Sequence, residues 1–560
     1  MKKHKNLLML ALSSFFVTLS LNSCDDVNGF FEDTGSSGEE VSLDPEKTTI
    51  YIGNYYGGLG NEWLNVLAKR YCETHPDVQF KIDDDKNKYL LDNISSNLKS
   101  SRCALFFIEK IYYYDMVSQG LLADITDVVT TPMSEFGDDA TIESKLDSQF
   151  KNYLAYNDVC DGKYYALPTY ISHHGLVYDV DLFENKKLFI GKNSTADNVV
   201  FVSGTTENSK SLGIDKVANT YDDGLPETFE QFKKLMNEMI KKGVTPFIWS
   251  GATTRAYFNG MMDNLTADFE GKDNYQLNYT FNGSQTLYGD SAPTTITEDN
   301  AYELQRQEGR LHALEFARHI TNDSVNYASS SSLLTSTHLE AQDEFISSSP
   351  FQGVDNIKPI GMIVEGDWWE NEAKINGDFN SVVDIKGEDY AYGKRRFGVM
   401  PLPKFDGSSQ RTTFFSGSAQ NAFFVNNTGN VTDEQREIDK DFLKFCHTEM
   451  GLQTFTQYTG MMRPYSYELT DEQYESLTYF SKTLYQAYKS PNTDIVHDLN
   501  ISQKRIKNSS YFLTYWNWTT NVGSNVFDNP ANDFINNKNL TASAYFQGLI
   551  TYHKNRWDTL

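Results

Sequence analysis

Residues 48–82 read TTIYIGNYYGGLGNEWLNVLAKRYCETHPDVQFKI. Thr48 to Ile52 is a short β-branched and aromatic run, which predicts a strand. Asn54-Tyr55-Tyr56-Gly57-Gly58 follows as a turn. From about Glu62 to Thr74 the apolar residues Trp63, Val66, Leu67 and Tyr71 recur at helical spacing. His75-Pro76-Asp77 stops that helix, and Val78 to Ile82 supplies the next strand. Ala104 to Ile108 reads as a further, buried strand. Strand, helix and strand in this rhythm predict an α/β fold with a largely parallel sheet. Ligands of such sheets meet the loops at the carboxyl ends of strands, and the 54–58 turn is such a loop.

Towards the amino terminus the pattern changes. Lys2, Lys3 and Lys5 precede a mostly apolar run from Leu7 to Leu21, about fifteen residues, short of the roughly 20 that span a bilayer. Leu21-Asn22-Ser23-Cys24 then places a small residue before a cysteine. This is the plan of a cleaved signal peptide over residues 1–23. It resembles the bacterial lipobox, from which Asn22 departs, and the resemblance implies lipidation of Cys24 and a membrane anchor. Residues 24–47 are rich in Gly, Ser, Asp and Glu and read as a flexible tether spanning roughly 25 Å.

Towards the carboxyl terminus the helices expected are Thr228 to Lys242, Leu304 to Thr321, Asp433 to Thr448 and Asp471 to Lys489, with a strand at Thr245 to Trp249. Residues 251–300 and 322–356 are polar and read as loop-rich. The 560 residues exceed one small core and predict two or more lobes. At 39% hydrophobic and 14% aromatic the composition is globular rather than disordered. The net charge of -27 argues against nucleic acid and anionic lipid as partners. Removal of residues 1–23, with three lysines and no acid, takes it near −30 (−27 less three). Cys72, Cys103, Cys160 and Cys446 show no metal-like spacing and fix no disulfide pairing. Asp83, Asp85 and Asn87 have the first spacings of a calcium loop, but Lys88 and Ile94 stand where Gly and Glu are needed, so no metal or other cofactor is expected. No nucleophile elbow, phosphate loop or HExxH site is present.

Several segments, in order, resemble the bacterial extracellular solute-binding proteins of sugar ABC importers, the family that includes maltose-binding protein. They are ETHPDVQF at 73–80, Gly120 to Ile125, Tyr165 to Pro168 with Gly175 to Asp179 and Asp181 to Phe183, Leu225 to Phe232, Gly361 to Trp369, Phe397 to Pro403 and Thr459 to Pro464. The resemblance covers residues 48–560, with insertions near 185–220 and 265–300. It implies a two-lobed fold of periplasmic-binding-protein type II with an interlobe cleft and a hinge near Ser172 to His174. One lobe takes 48–170 plus 418–465 and the other 175–415 plus 470–560. It also implies a monomer that carries a carbohydrate, an oligosaccharide to judge from the many aromatics, to an ABC-type permease at the outer face of the bacterial cytoplasmic membrane, without enzymatic action.

A sugar offers flat C–H faces and many hydroxyls, so its site needs aromatic plates and a few aimed polar groups. Glu365-Gly366-Asp367-Trp368-Trp369 offers both. Gly366 permits a sharp turn and Asp367 can cap the next helix. The resemblance puts a stacking role on Trp368, while Trp368 and Trp369 could equally plug the interlobe core. Trp516 and Trp518 flank Asn517 where relatives supply a further aromatic. Asn54, Tyr55 and Tyr56 lie in the first loop, and Tyr257 falls where the family has a stacking tyrosine. Glu109 follows a strand, as acceptor of sugar hydroxyls or as a solvated charge, and His173 sits at the hinge. Two other readings use the same residues. One is a glycan-binding surface lipoprotein of another uptake system, which the βαβ rhythm disfavours. The other is a glycoside hydrolase using Glu365 and Asp367, which requires two carboxyls roughly 5–9.5 Å apart across one bond.

Overall fold

The computed structural model describes residues 43–85, 87–195, 198–206, 209–322, 327–333, 335–348, 358–419 and 421–560. The leader, Cys24 and most of the tether lie outside the described residues.

The opening stretch folds as its spacing requires. Strand Thr48–Asn54 buries Ile50 and Ile52, and helix Glu62–Thr74 lays Trp63, Leu64, Leu67 and Tyr71 on the sheet. The helix ends where the His75 N–H bonds the Tyr71 carbonyl, one residue before Pro76. Four strands make the first sheet, in the order Ala422–Val425, Leu105–Ile108, Thr48–Asn54, Val78–Asp83. The last three are parallel, and Ala422–Val425 returns antiparallel from far down the chain. Trp63 locks helix to sheet, its ring 5.3 Å from Phe107 and 5.8 Å from Phe423.

The second sheet runs Phe397–Met400, His174–Asp179, Ile360–Gly366, Thr245–Ile248. Only Ile360–Gly366 with Thr245–Ile248 is parallel, and the other two pairings are antiparallel. The expected parallel character therefore holds in the first sheet and fails in the second, whose strands come from four separate parts of the chain. Helix Phe229–Lys241 covers this sheet. The Thr228 hydroxyl caps it by accepting from the Gln231 N–H, and Gly243 follows its end at φ +72°.

Between the sheets the chain passes three times. Strands Thr412–Ser416 and Thr493–His497 pair in parallel. The Ser172 N–H donates to Ser416 Oγ (3.0 Å), Gly417 N–H to the Ser172 carbonyl (2.9 Å) and Asp498 N–H to the Ser416 carbonyl (3.1 Å).

Four expectations change. Residues 251–300 are not loop-rich: Thr254–Glu270 is a seventeen-residue helix, followed by helix Lys272–Thr280. The first is buried on almost every side, and its buried Asp263, Asn264 and Asp268 hide any apolar stripe. In 322–356, helix His338–Ser347 starts with a capping box between Thr337 and Glu340. The expected 304–321 helix is broken at Gln307, whose buried amide bonds Asn278, Gln285 and the Asn274 carbonyl. Two other long helices end early, because Thr448 and Thr478 cap new ones. The four cysteines are free thiols. Among the described residues no helix is long and apolar enough to cross a membrane.

Candidate ligand-binding cleft

The loop after Thr48–Asn54 and the turn after Ile360–Gly366 face one another across the gap between the sheets. Asn54 turns inward and holds its own loop, its amide donating to the Gly60 carbonyl (3.3 Å) and to Asn61. A Cβ on Gly58 would lie 2.8 Å from Trp368 Cβ. Only glycine lets this backbone rest on the tryptophan. On the other side, a Cβ on Gly366 would lie 2.3 Å from the Trp368 ring, which folds back over it.

Trp368 is half-buried and sits at the centre of a ring cluster. His174 meets it edge-on at 4.9 Å and 84°, and Tyr257 at 6.1 Å and 63°. Tyr257 in turn stacks on His338 at 5.8 Å and 17°. With Tyr55, Tyr170, Glu109 and Glu372 these rings, apart from His174, enclose a cavity of about 120 Å³. Desolvation, then the neighbouring Glu109 carboxylate, pushes the Tyr55 phenol far up. Desolvation, helped by His173 and Lys110, pushes His174 down to about 3, so its imidazole is neutral. The wall thus offers aromatic faces from both sides, the Glu109 carboxyl, the Glu372 carboxyl, which also accepts from Gln342 (2.9 Å), and phenolic donors, which suit a ring with apolar faces and hydroxyl edges.

Of the residues expected from sequence, Tyr55, Glu109, Tyr257 and Trp368 come together here. The others are placed differently. Asp367 does not cap a helix: its carboxylate accepts from His173 Nδ1 (2.9 Å) and from the Tyr488 hydroxyl (2.5 Å). His173 Nε2 accepts from Asn264 (3.1 Å), which leaves its proton on Nδ1, facing Asp367. This buried relay ties the strand end to the Thr254–Glu270 helix and the interlobe passes. Glu365 lies behind the wall, bonded by Gln342 (3.0 Å), and burial with the Glu372 charge holds its carboxyl well above the usual range. Trp369 packs in the core on Phe345, Phe397 and Phe480. Trp516 packs with Phe281, Phe512 and Trp557. Asn54, His173, Glu365, Asp367, Trp369 and Trp516, also expected at the ligand, are buried and packed or bonded within the protein and do not line this cavity. Tyr56 is half-buried outside this wall, its carbonyl accepting from Gly60 N–H (2.8 Å). Sequence reasoning missed Tyr170, His338 and Glu372. Glu372 follows Trp368 by four residues on the Trp369–Ile375 helix, a spacing that could have found it.

Beyond His174 lies a larger cavity of about 420 Å³, walled by the 110–115 segment, helix Thr254–Glu270 and the 498–519 segment. Trp518 lines it, with its indole N–H donating to Asp263 Oδ1 (2.8 Å) while Asn517 donates to Oδ2 (2.8 Å). Burial raises the Asp263 carboxyl to about 7. Among the described residues no group of three His, Cys, Asp or Glu side chains is placed to hold a metal ion.

Two sheets, three interlobe passes and an aromatic cleft define the two-lobed solute-binding fold. Residues 57–330 match the family described as bacterial extracellular solute-binding protein. Among solved structures, a chitin oligosaccharide binding protein aligns with 92% of this chain and 100% of its own, at 14% identity and a TM-score of 0.52. A mannobiose-bound ABC-transporter binding protein of Bifidobacterium animalis subsp. lactis aligns over 92% and 95%, at 13% identity and 0.52. Maltose-bound MalE3 of T. maritima aligns over 90% and 99%, at 12% identity and 0.50. At such identities the likeness is one of fold. No match is found among curated protein sequences.

Proposed function

We propose that the protein captures a carbohydrate in the cleft between its lobes, leaves it chemically unchanged, and delivers it to an ABC-type permease. The observation that carries this reading is the ring wall drawn from both sides, with Tyr55 on one and Tyr257 and Trp368 on the other, set beside Glu109 and Glu372. Rings bury the C–H faces of a sugar, and carboxylates accept from its hydroxyls. The names of similar structures, which bind chitin oligosaccharide, mannobiose and maltose, support the same class. Against hydrolysis, Glu365 and Asp367 are buried and already bonded. The Cys24 motif supports a lipid anchor at the outer face of the cytoplasmic membrane, with the 24–47 tether keeping a monomeric binder near its permease.

A panel of oligosaccharides scored by thermal shift, with the sugar analysed afterwards, tests the reading. A clear shift with the sugar recovered intact is expected. Release of shorter sugars overturns the non-enzymatic reading, and no shift with any sugar overturns the carbohydrate class. Mass spectrometry of the mature amino terminus checks the anchor, with a lipidated Cys24 as the expected result.

A further inference from the structure

Of the two compartments beside His174, the smaller has a wall whose fixed charge is of one sign. Glu109 and Glu372 line it, and no lysine, arginine, asparagine or glutamine does among the described residues. Lys110 stands 3.9 Å from Glu109 Oε1, but its side chain is half-exposed and borders the larger compartment instead. His338 Nε2 is 3.7 Å from Glu372 Oε1. Burial raises the Tyr55, Tyr170 and Tyr257 phenols, and carboxylates, Glu109 and Glu372 among them, raise each further. Three hydroxyls around one cavity thus register the same negative potential. The chain's net charge of -27 adds to the attraction for a cation.

The wall is also rich in acceptors and poor in donors. The Tyr55 hydroxyl is bonded to Glu109, and Glu372 Oε2 takes the Gln342 amide (2.9 Å). Each carboxylate keeps further capacity, since it offers about four acceptor sites. A neutral hydroxyl asks for a donor as well as an acceptor, whereas an ammonium carries donors only. The rings agree with this. Tyr257 meets Trp368 at 63° and stacks on His338 at 17°. Rings crossed in this way make a box rather than one flat plate, and the faces of phenol and indole rings attract a cation. At about 120 Å³ the compartment falls well below the roughly 300–1,000 Å³ of ordinary ligand sites, so it admits a compact group.

We propose that the ring compartment is a cation cage, and that the sugar it takes presents a free ammonium there, as an unacetylated hexosamine does. This rests on the carbohydrate reading above and adds charge to it. Titration calorimetry at about pH 6, where such an amine is protonated, compares dimers of one linkage that differ only in the substituent next to the anomeric carbon: amine, N-acetyl amine or hydroxyl. Gluco and galacto series are run side by side, with choline as a cation that is no sugar. In the series that binds, the amine dimer is expected to bind about tenfold or more tighter than either partner. Its affinity falls as salt rises from about 0.05 to about 0.5 M, because charge pairing is screened, and that of the hydroxyl dimer does not. Glu109→Gln keeps the shape, removes a charge and brings the amine and hydroxyl dimers to within about twofold of each other. Glu372→Gln gives the same result should Glu109→Gln lower the melting temperature. Equal or tighter binding of the hydroxyl or acetylated dimer overturns the inference and leaves the carbohydrate reading standing, as does a preference that survives both substitutions. Binding of choline alone overturns the carbohydrate reading and leaves the cage, and no binding of any probe overturns both.

Discussion

The two compartments lie on either side of the His174 imidazole, which lines the larger, and they are assembled by different means. The smaller exists because two distant loops meet: Asn371 donates to the Gly58 and Leu59 carbonyls (2.7 and 3.2 Å), and Lys374 pairs with Glu62 (2.7 Å). Its rings are recruited from both sides of the gap. The larger is supported by one long buried helix, Thr254–Glu270, whose Asp263 is held by Asn517 and Trp518. The difference teaches a division of work. A compartment built by closure can report that ligand is present. A compartment backed by a buried helix can discriminate what the ligand is, because Asp263 on that helix is fixed beforehand.

Breaking the ring compartment has the largest expected effect. Trp368→Ala removes the central plate and lowers sugar affinity by about a hundredfold. The ligand-free melting temperature moves little, because the indole is half-buried at the rim of a cavity rather than packed in a core. Calorimetry and melting on the same sample separate the two. Trp369→Ala, two helix-start residues apart in role though adjacent in sequence, does the reverse: it costs about 3–5 kcal/mol of stability.

Loosening the closure comes next. Asn371→Ala deletes both bonds to the facing loop, and affinity falls about tenfold for short and long sugars alike. Small-angle scattering of the ligand-free protein then shows a larger radius of gyration. An unchanged radius and affinity would mean that the loop contact contributes nothing to closure.

The smallest effect sharpens the contrast through pH. Asp263 keeps its proton up to about 7 in the fold, whereas an unfolded aspartate releases it near 4. The folded state binds more protons between those values, so stability is full below about 4 and is lost as pH rises through 7. Asp263→Asn, whatever its absolute melting temperature, flattens that slope by a few degrees between pH 5 and 8.

How much of this was legible in the sequence follows from the range of the interactions. Strand, helix and strand at 48–82 depend on neighbours a few residues apart, and the spacing of Trp63, Leu67 and Tyr71 shows them. The Thr254–Glu270 helix was hidden, because burial on nearly all sides removes the polar face that periodicity needs. Asp367 reads locally as a helix cap, but His173 and Tyr488, far away in the chain, take its carboxylate. The family resemblance singles out Trp368, local spacing leaves Trp368 and Trp369 alike, and the strand end decides which ring faces the cleft. His338 and Glu372 could enter the site only once helices read as loop or left unread were in place.

A crystal structure of the protein with a bound oligosaccharide tests the central claim most directly. A sugar ring lying on the faces of Trp368 and Tyr257, with a hydroxyl within hydrogen-bond reach of Glu109 or Glu372, is the expected result. A sugar bound away from these rings, with the aromatic compartment empty, would contradict it.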